Sequence, residues 1–246
     1  MGLKLRSLQK DHRRSTYLSD IFRAEAEGED FMYILKRNRV PLTLEQQQFM
    51  QWLMQHPHPS LLIPVEIRGE VGEHLEEIYP SLSLPSLNEV LDRILPQSPF
   101  WQFQQVWVVM EQLTSVLGYL HSHGYIHHDV RDRNIFVDPR TLEITLFDYN
   151  SVRRPYFLEA GVNSWNEVPP EYRLGGTMID FSFDVYQAGK LFRKMVCGYE
   201  REPKVKITDG AIEVMHKACA EEREQRYANG TELHQAIIGL ASLVTE

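Results

Sequence analysis

Cysteine, long apolar runs and repeats are scarce or missing in this chain of 246 residues, and each absence excludes a class of protein. The two cysteines, Cys197 and Cys219, lack metal-ligand spacing and are too few for a disulfide-stapled scaffold, so we expect buried thiols in a reducing compartment. No apolar run approaches the roughly 20 residues of a membrane-spanning helix, and no signal-peptide pattern opens the chain. We therefore expect a cytoplasmic, or at least intracellular, protein without a membrane span.

Positive charge is also in the minority, because 26 Lys and Arg face 34 Asp and Glu and give a formal net charge of −8. Such a chain does not present a general surface for nucleic acid. The exception is the N-terminus, where five basic residues accompany one acid, Asp11. We expect a solvated basic arm there, and a contact to phosphate or to a partner is the alternative. The five residues are Lys4, Arg6, Lys10, Arg13 and Arg14.

The pattern of apolar residues changes near residue 80. Before it, strand-like segments surround one helix that Thr43 caps; they cover residues 21–24, 31–36, 61–67 and 74–79. After it, apolar residues recur every three or four positions, as helices require. The predicted helices cover residues 101–121, 184–197, 210–220 and 231–244. The sequence therefore predicts an α+β protein of two lobes.

The most informative segment of the second half is a predicted β-hairpin. Strand-like runs at residues 135–137 and 144–147 enclose a turn-forming tetrapeptide. Because a hairpin brings its open ends together, Asn134 before the first strand is expected beside Asp148 after the second. Asp129 supplies another carboxylate a few residues upstream. Amide and carboxylate oxygens suit Mg²⁺ bound to a nucleotide, so the segment predicts that chemistry.

Seven segments follow one another in the order and spacing of one known family. In chain order they are Tyr33-Ile34-Leu35-Lys36, residues 119–129, Asp129 with Asn134 five positions later, Asp148-Tyr149-Asn150, Val168-Pro169-Pro170-Glu171, residues 184–189, and Arg226. Together they resemble the eukaryotic-type protein kinase domain over nearly the whole chain. The resemblance implies one kinase-like domain over residues 1–246. Its N-lobe, about 1–80, is a small antiparallel β-sheet with one helix, and its C-lobe, about 81–246, is mainly α-helical.

The same resemblance implies a role for each site residue. Asp129 accepts or orients the proton of an attacking hydroxyl, and Arg131 neutralises charge on the phosphoryl group in transfer. Lys36 holds the α- and β-phosphates of ATP, while Asn134 and Asp148 bind Mg²⁺ or Mn²⁺. The implied activity is transfer of the γ-phosphate of ATP to a Ser, Thr or Tyr hydroxyl of a protein substrate.

The segment that should hold the phosphates departs from the family pattern. The segment at the position of the family's glycine-rich loop contains no glycine. Arg14, Thr16 and Ser19 stand where glycines are expected. Glycine lets the backbone approach phosphate closely. Hydroxyl groups and a cation are the substitutes that this sequence offers.

Two further departures concern Lys36 and the metal-binding motif. The helix after Lys36 should present a pairing glutamate, but residues 47–49 are Gln47, Gln48 and Phe49, and the helix's acid, Glu45, comes about one turn early. Asp148 is followed by Tyr149-Asn150 instead of Phe-Gly. Tyr149 can replace Phe if its hydroxyl finds a partner.

These departures leave two alternatives open beside an active protein kinase. One is a pseudokinase, a nucleotide-binding, scaffold or allosteric partner of another protein that does not turn over ATP. The other is a kinase-fold enzyme that modifies a small molecule or transfers another part of ATP. Glu171 and Arg226 favour the protein-kinase branch over this last alternative.

We expect that phosphorylation of the activation loop is not the main switch that regulates this protein. His128 stands where the family has an arginine that grips a phosphorylated activation loop. Joint replacement of Ser151, Tyr156 and Ser164 by Ala, Phe and Ala should therefore leave phosphotransfer by the purified protein unchanged. Loss of activity in this triple variant, with recovery in a phosphomimetic variant, would show the prediction to be wrong.

Overall fold

The computed structural model of the protein describes residues 2–12, 15–16, 18–28, 30–69, 74–94, 103–158, 168–173, 177–197 and 208–241. The chain forms two compact units, an N-terminal unit Met1–Ser83 and a C-terminal unit Leu84–Glu246. Within the described residues, no helix combines the length and the apolar character that crossing a membrane requires. Strands dominate the first unit and helices the second, so the predicted α+β class is confirmed.

The N-terminal unit is a five-stranded antiparallel sheet with one helix. Its strands follow the spatial order β1-β2-β3-β5-β4. The helix begins where the sequence predicts, because the Thr43 hydroxyl accepts from the Gln46 N–H and the Gln46 side chain accepts from the Thr43 N–H. The elements are β1 (Leu5–Lys10), β2 (Ser19–Ala26), β3 (Met32–Asn38), α1 (Leu44–Gln55), β4 (Glu66–Arg68) and β5 (Glu76–Pro80).

Alternation along the strands divides the sheet into two faces. On one face Tyr33, Leu35 and Ile78 pack with residues of β2 into a buried apolar cluster. The residues between them, among which are Lys36 and Glu77, point to the other face. The register of β3 on β5 therefore decides which side chains meet Lys36.

The predicted basic arm at the N-terminus is wrong for the residues that the structure describes. Strand β1 pairs with β2, and its basic side chains meet acids across the ladder. Arg6 lies 3.3 Å from Glu25, and Lys10 lies 2.5 Å from Asp20. Sequence alternation missed this strand because its side chains are mostly exposed. Arg13 and Arg14 fall outside the described residues.

The C-terminal unit is mainly helical and carries two small antiparallel sheets. The α3 helix buries the predicted apolar face, which includes Trp107, Met110, Leu113, Leu117 and Leu120. The elements are α2 (Leu87–Glu89) with a π-helical turn Val90–Ile94, α3 (Phe103–Ser122), β6 (Ile135–Val137), β7 (Ile144–Leu146), β8 (Phe157–Leu158), β9 (Met178–Ile179), α4 (Ser182–Cys197), α5 (Asp209–Ala218) and α6 (Gly230–Ala241). Residues 242–244 of the last predicted helix lie outside the described part.

Helices α3 and α6 approach each other closely at one glycine. A Cβ added to Gly230 would lie 2.5 Å from the Gly118 nitrogen and 2.6 Å from the Leu117 carbonyl carbon. Both of these atoms belong to the backbone of α3, which has little freedom to move aside. The packing of α6 therefore depends on the missing side chain.

Two alanine substitutions in α6 test this contact. Gly230→Ala should lower the free energy of unfolding by about 1–3 kcal/mol, since the new methyl group overlaps the α3 backbone. Gly239→Ala is the matched control, because an added Cβ there meets no atom within 4 Å. It should raise stability by about 0.5–1 kcal/mol through reduced backbone entropy of the unfolded chain. Equal urea midpoints for the two variants would contradict the proposed close approach.

Candidate active site

The β6–β7 hairpin brings the predicted site residues of the C-terminal unit together. Ile135 pairs with Leu146, so the residues flanking this pair meet at the open end. There the Phe147 N–H donates to the Asn134 carbonyl oxygen at 2.9 Å. Asp148 is the next residue, so the hairpin fixes its backbone beside that of Asn134, as the sequence predicts.

The Asn134 side chain secures Asp129. Its Nδ2 donates to the Asp129 carbonyl oxygen at 2.9 Å and to Asp129 Oδ2 at 2.7 Å. Arg131 Nη2 donates to the same Oδ2 at 2.8 Å. Within the described residues, Oδ1 of Asp129 accepts no hydrogen bond. One carboxylate oxygen of Asp129 is thus held by two donors.

Asp148 adopts a left-handed backbone conformation, with φ 67° and ψ 79°. Such a conformation is uncommon for residues other than glycine, and it persists where the surroundings enforce it. The next residue supplies part of that enforcement. Tyr149 is buried, and its hydroxyl donates to the Leu146 carbonyl oxygen at 2.8 Å. The hydroxyl therefore has the partner that a Tyr in place of Phe requires.

The donor set at the hairpin end fits a divalent metal ion such as Mg²⁺. With Nδ2 of Asn134 engaged by Asp129, the amide oxygen Oδ1 is the atom that remains for a cation. The Asp148 carboxylate lies two residues beyond the end of β7. The Asn134 amide oxygen and the Asp148 carboxylate are both hard oxygen ligands. Asn134 and Asp148 are therefore the residues that would hold the metal, and this assignment stays a prediction.

One buried carboxylate on α4 anchors the segment before Asp129. Asp184 accepts from the His127 N–H at 2.7 Å and from the His128 N–H at 2.8 Å. His121 Nε2, from α3, lies 3.0 Å from Asp184 Oδ2. Asp184 therefore fixes the backbone that leads into Asp129.

Burial shifts the pKa values of Asp184 and His127 in opposite directions. Desolvation pushes the pKa of Asp184 upward, but the hydrogen bond from His121 and the His127 N–H together hold it below 3.8. Desolvation lowers the pKa of His127, although Asp184, Asp129 and Asp148 oppose it. Asp184 is thus ionised at neutral pH, and the His127 imidazole is uncharged and braces the loop.

Glu171 and Arg226, which belong to two of the motif segments identified in the sequence, form an ion pair. Arg226 donates to both carboxylate oxygens of Glu171, at 2.6 and 2.8 Å. It also donates to the carbonyl oxygens of Ala220 and Glu221. This bidentate pair ties the segment after β8 to the region before α6.

Lys36 lies on β3 of the N-terminal unit, and its side chain is 9% exposed. Its ammonium nitrogen is 3.7 Å from Oε2 of Glu77 on β5. Sequence reasoning missed Glu77 and sought the partner on α1. The available signal was alternation, because Glu77 sits between buried Leu75 and Tyr79 and must share their face of the strand.

Comparison with known proteins identifies the family. A model of the family described as "Protein kinase domain" matches residues 74–243, which is more than half of the chain. The chain belongs to this family. The matched region includes the catalytic loop, the hairpin and the Glu171–Arg226 pair, and the resemblance drawn from the motifs is confirmed.

Individual relatives support the same assignment. Protein kinase gsk3 of Schizosaccharomyces pombe is 23% identical over 178 residues, covering 68% of this chain and 45% of that protein. Calcium-dependent protein kinase 3 of Plasmodium yoelii yoelii is 27% identical over 152 residues, or 59% and 27% of the two chains. This chain thus spans less than half the length of these curated relatives.

A solved structure confirms the two-lobed kinase fold. The structure of the Cydia pomonella Granulovirus kinase, PK-1, superposes with a TM-score of 0.78. The match covers 95% of this chain and 94% of that chain at 14% identity. This likeness concerns the fold, since the sequences have diverged widely.

The kinase domain's β1–β2 connection uses side-chain hydroxyls to hold its own backbone. The N–H groups of Leu18 and Ser19 donate to the Thr16 hydroxyl at 3.1 and 3.2 Å. The Ser15 hydroxyl accepts from the Ile21 N–H at 3.0 Å. In a glycine-rich loop such N–H groups are left for phosphate. Arg14, the third glycine substitute, lies outside the described residues.

His128 takes the family's arginine position and packs among aromatic rings. Its ring centroid lies 4.3 Å from that of Phe183 and 5.6 Å from that of Phe157. Of the loop hydroxyls considered above, Tyr156 is 64% exposed, whereas Ser164 lies outside the described residues. The prediction on loop phosphorylation stays a prediction.

Removing the charge of Asp184 should loosen the catalytic loop. Asp184→Asn presents an NH₂ group to donors that need an acceptor, so the free energy of unfolding at pH 7 should fall by about 3 kcal/mol or more. Because the folded-state pKa of Asp184 is depressed, its contribution is present above pH 3.8 and is lost as the pH falls below that value. The difference in the free energy of unfolding between wild type and variant should therefore become smaller at acid pH. Denaturant titrations at several pH values measure this, with exposed Glu143→Gln as the control; a difference independent of pH would contradict the assignment.

Proposed function

We propose that the protein is an ATP- and Mg²⁺-dependent protein kinase that transfers the γ-phosphate of ATP to a Ser, Thr or Tyr hydroxyl of a protein. The observation that carries the proposal is the arrangement around Asn134, whose amide NH₂ holds Asp129 while its carbonyl oxygen accepts from the N–H of Phe147, the residue before Asp148. Membership of the protein kinase family supports it. We further propose that residues 1–246 form one kinase-like domain with an N-lobe of about residues 1–80.

In this proposal each site residue has one task. Asp129 Oδ1 takes the proton of the substrate hydroxyl. The hydroxyl oxygen bonds to the γ-phosphorus of ATP as the bond between that phosphorus and the bridging β-phosphate oxygen breaks, and ADP is released. Arg131 carries positive charge next to Asp129 and lowers the cost of charge on the transferring group. Lys36 orients the α- and β-phosphates. Asn134 and Asp148 would hold Mg²⁺, and the ion would supply positive charge against the phosphates.

A pseudokinase that binds a partner protein without turnover is the second candidate. The observation that favours it is the β1–β2 connection, where backbone N–H groups donate to Thr16 and Ser15 instead of standing open for phosphate. Retention of Asp129, Asn134 and Asp148 together favours the kinase, because a pseudokinase does not need this set.

A thermal-shift titration with ATP, with and without Mg²⁺, tests the metal and nucleotide site. We expect a saturable, Mg²⁺-dependent rise in Tm for the wild type, equivalent to about 2.7 kcal/mol at a hundredfold excess over Kd. Asp148→Asn should lose this shift. Asp138→Asn, in the turn at the far end of the same hairpin, should keep it and serves as the matched control.

A phosphotransfer assay on peptide libraries then separates the two candidates. Asp129→Asn should leave the ATP-dependent shift intact and reduce transfer by about 10²–10⁴-fold, since it removes the proton acceptor. A wild type that binds Mg²⁺-ATP but transfers no phosphate, with Mg²⁺ or with Mn²⁺, would favour the pseudokinase. If ATP causes no rise in the Tm of the wild type, that result would count against the kinase and against a nucleotide-binding pseudokinase.

A further inference from the structure

Glu77 is a buried carboxylate in the middle of β5. It is 1% exposed and lies between Leu75 and Tyr79 on one face of the strand. A buried carboxylate is costly unless donors surround it. Asn38 Nδ2 donates to its Oε1 at 2.7 Å, and the Tyr79 hydroxyl donates to its Oε2 at 2.5 Å. Two neutral donors thus fix both oxygens in place.

Lys36 meets this carboxylate directly across the sheet. The two residues are register partners of the β3–β5 ladder, and Nζ lies 3.7 Å from Oε2. This distance exceeds a hydrogen bond, so Glu77 acts on the ammonium group through charge. A carboxylate that two other donors hold in place, at this distance, keeps the ammonium group oriented.

The polar residues at the start of α1 are engaged locally. Gln46 completes the capping box with Thr43, and Gln47 Nε2 donates to the Leu42 carbonyl oxygen at 3.0 Å. The carboxylate that α1 carries, Glu45, lies in its first turn. In protein kinases, the lysine on this strand pairs with a helix glutamate, and helix movement makes or breaks that pair.

We infer that Glu77 is the positioning residue for Lys36 and takes the role of the helix glutamate; this inference rests on the proposed nucleotide-binding function. The β3–β5 hydrogen bonds fix the separation of the two residues, so displacement of α1 does not break the pair. The nucleotide lysine is therefore permanently oriented, and the helix switch common to this family is bypassed. Regulation must act elsewhere in the protein.

The pairing itself is tested without nucleotide. The rate at which an amine-reactive reagent labels Lys36 is followed against pH by mass spectrometry of the modified peptide. Glu77→Gln should lower the midpoint of this profile by about one pH unit, because the charge that stabilises the ammonium is gone. Glu76→Gln is the matched control, since Glu76 pairs with Arg37 at 2.7 Å on the opposite face and should leave the midpoint unchanged.

The consequence for nucleotide binding is tested by titration with Mg²⁺-ATP. Glu77→Gln should weaken the affinity roughly tenfold, because Lys36 is no longer held in place. Glu45→Gln, which removes the helix carboxylate, should alter neither the affinity nor the labelling midpoint. If Glu45→Gln changes the affinity or the labelling midpoint and Glu77→Gln does not, the inference is overturned and the partner of Lys36 lies on the helix.

The outcomes separate this inference from the proposed function. If the wild type binds Mg²⁺-ATP while Glu77→Gln changes neither midpoint nor affinity, the inference fails and the function stands. If the wild type binds no nucleotide but the midpoint falls in Glu77→Gln, the pairing is supported and the function fails. If Glu77→Gln does not fold, Glu77→Asp replaces it; the shortened carboxylate should lower the midpoint by a smaller amount, and an unchanged midpoint overturns the inference.

Discussion

The catalytic half of this kinase domain depends on one buried negative charge, that of Asp184. Two backbone N–H groups before Asp129 and the imidazole of His121 point at Asp184, which is itself fully buried. A buried carboxylate with three donors acts as a fixed point, because any displacement leaves polar groups unpaired. The His128 backbone has a φ of 65°, so this anchor also holds a conformation that the chain does not favour on its own.

From that fixed point, short connections determine the rest of the site. Asn134 lies five positions after Asp129 and its side chain reaches back to it, and the hairpin returns the chain to Asp148. These relations are local in sequence, which is why spacing alone predicted them. The same holds for helix α1, whose start depends on Thr43 and Gln46, three residues apart. Local hydrogen-bond patterns carry their own signature in the sequence.

The parts that sequence failed to predict depend on pairing between distant segments. Glu77 meets Lys36 only because β5 lies next to β3 in a particular register, and a shift of one residue would have presented Glu76 instead. The strand β1 was missed for a similar reason: its mostly exposed side chains show no alternation, and its place in the sheet comes from ladder bonds to β2. Nothing in a linear sequence states a register directly.

The two halves of the candidate site have therefore changed in different ways. The C-terminal half keeps the family's residues and compensates for single changes locally, as when the Tyr149 hydroxyl finds the Leu146 carbonyl oxygen. In the N-terminal half, the inferred partner of Lys36 is a strand residue, Glu77, at 3.7 Å, while Gln47 of α1 donates to the Leu42 carbonyl oxygen. If Glu77 takes the role of the helix glutamate, the missing glutamate does not by itself argue against nucleotide binding.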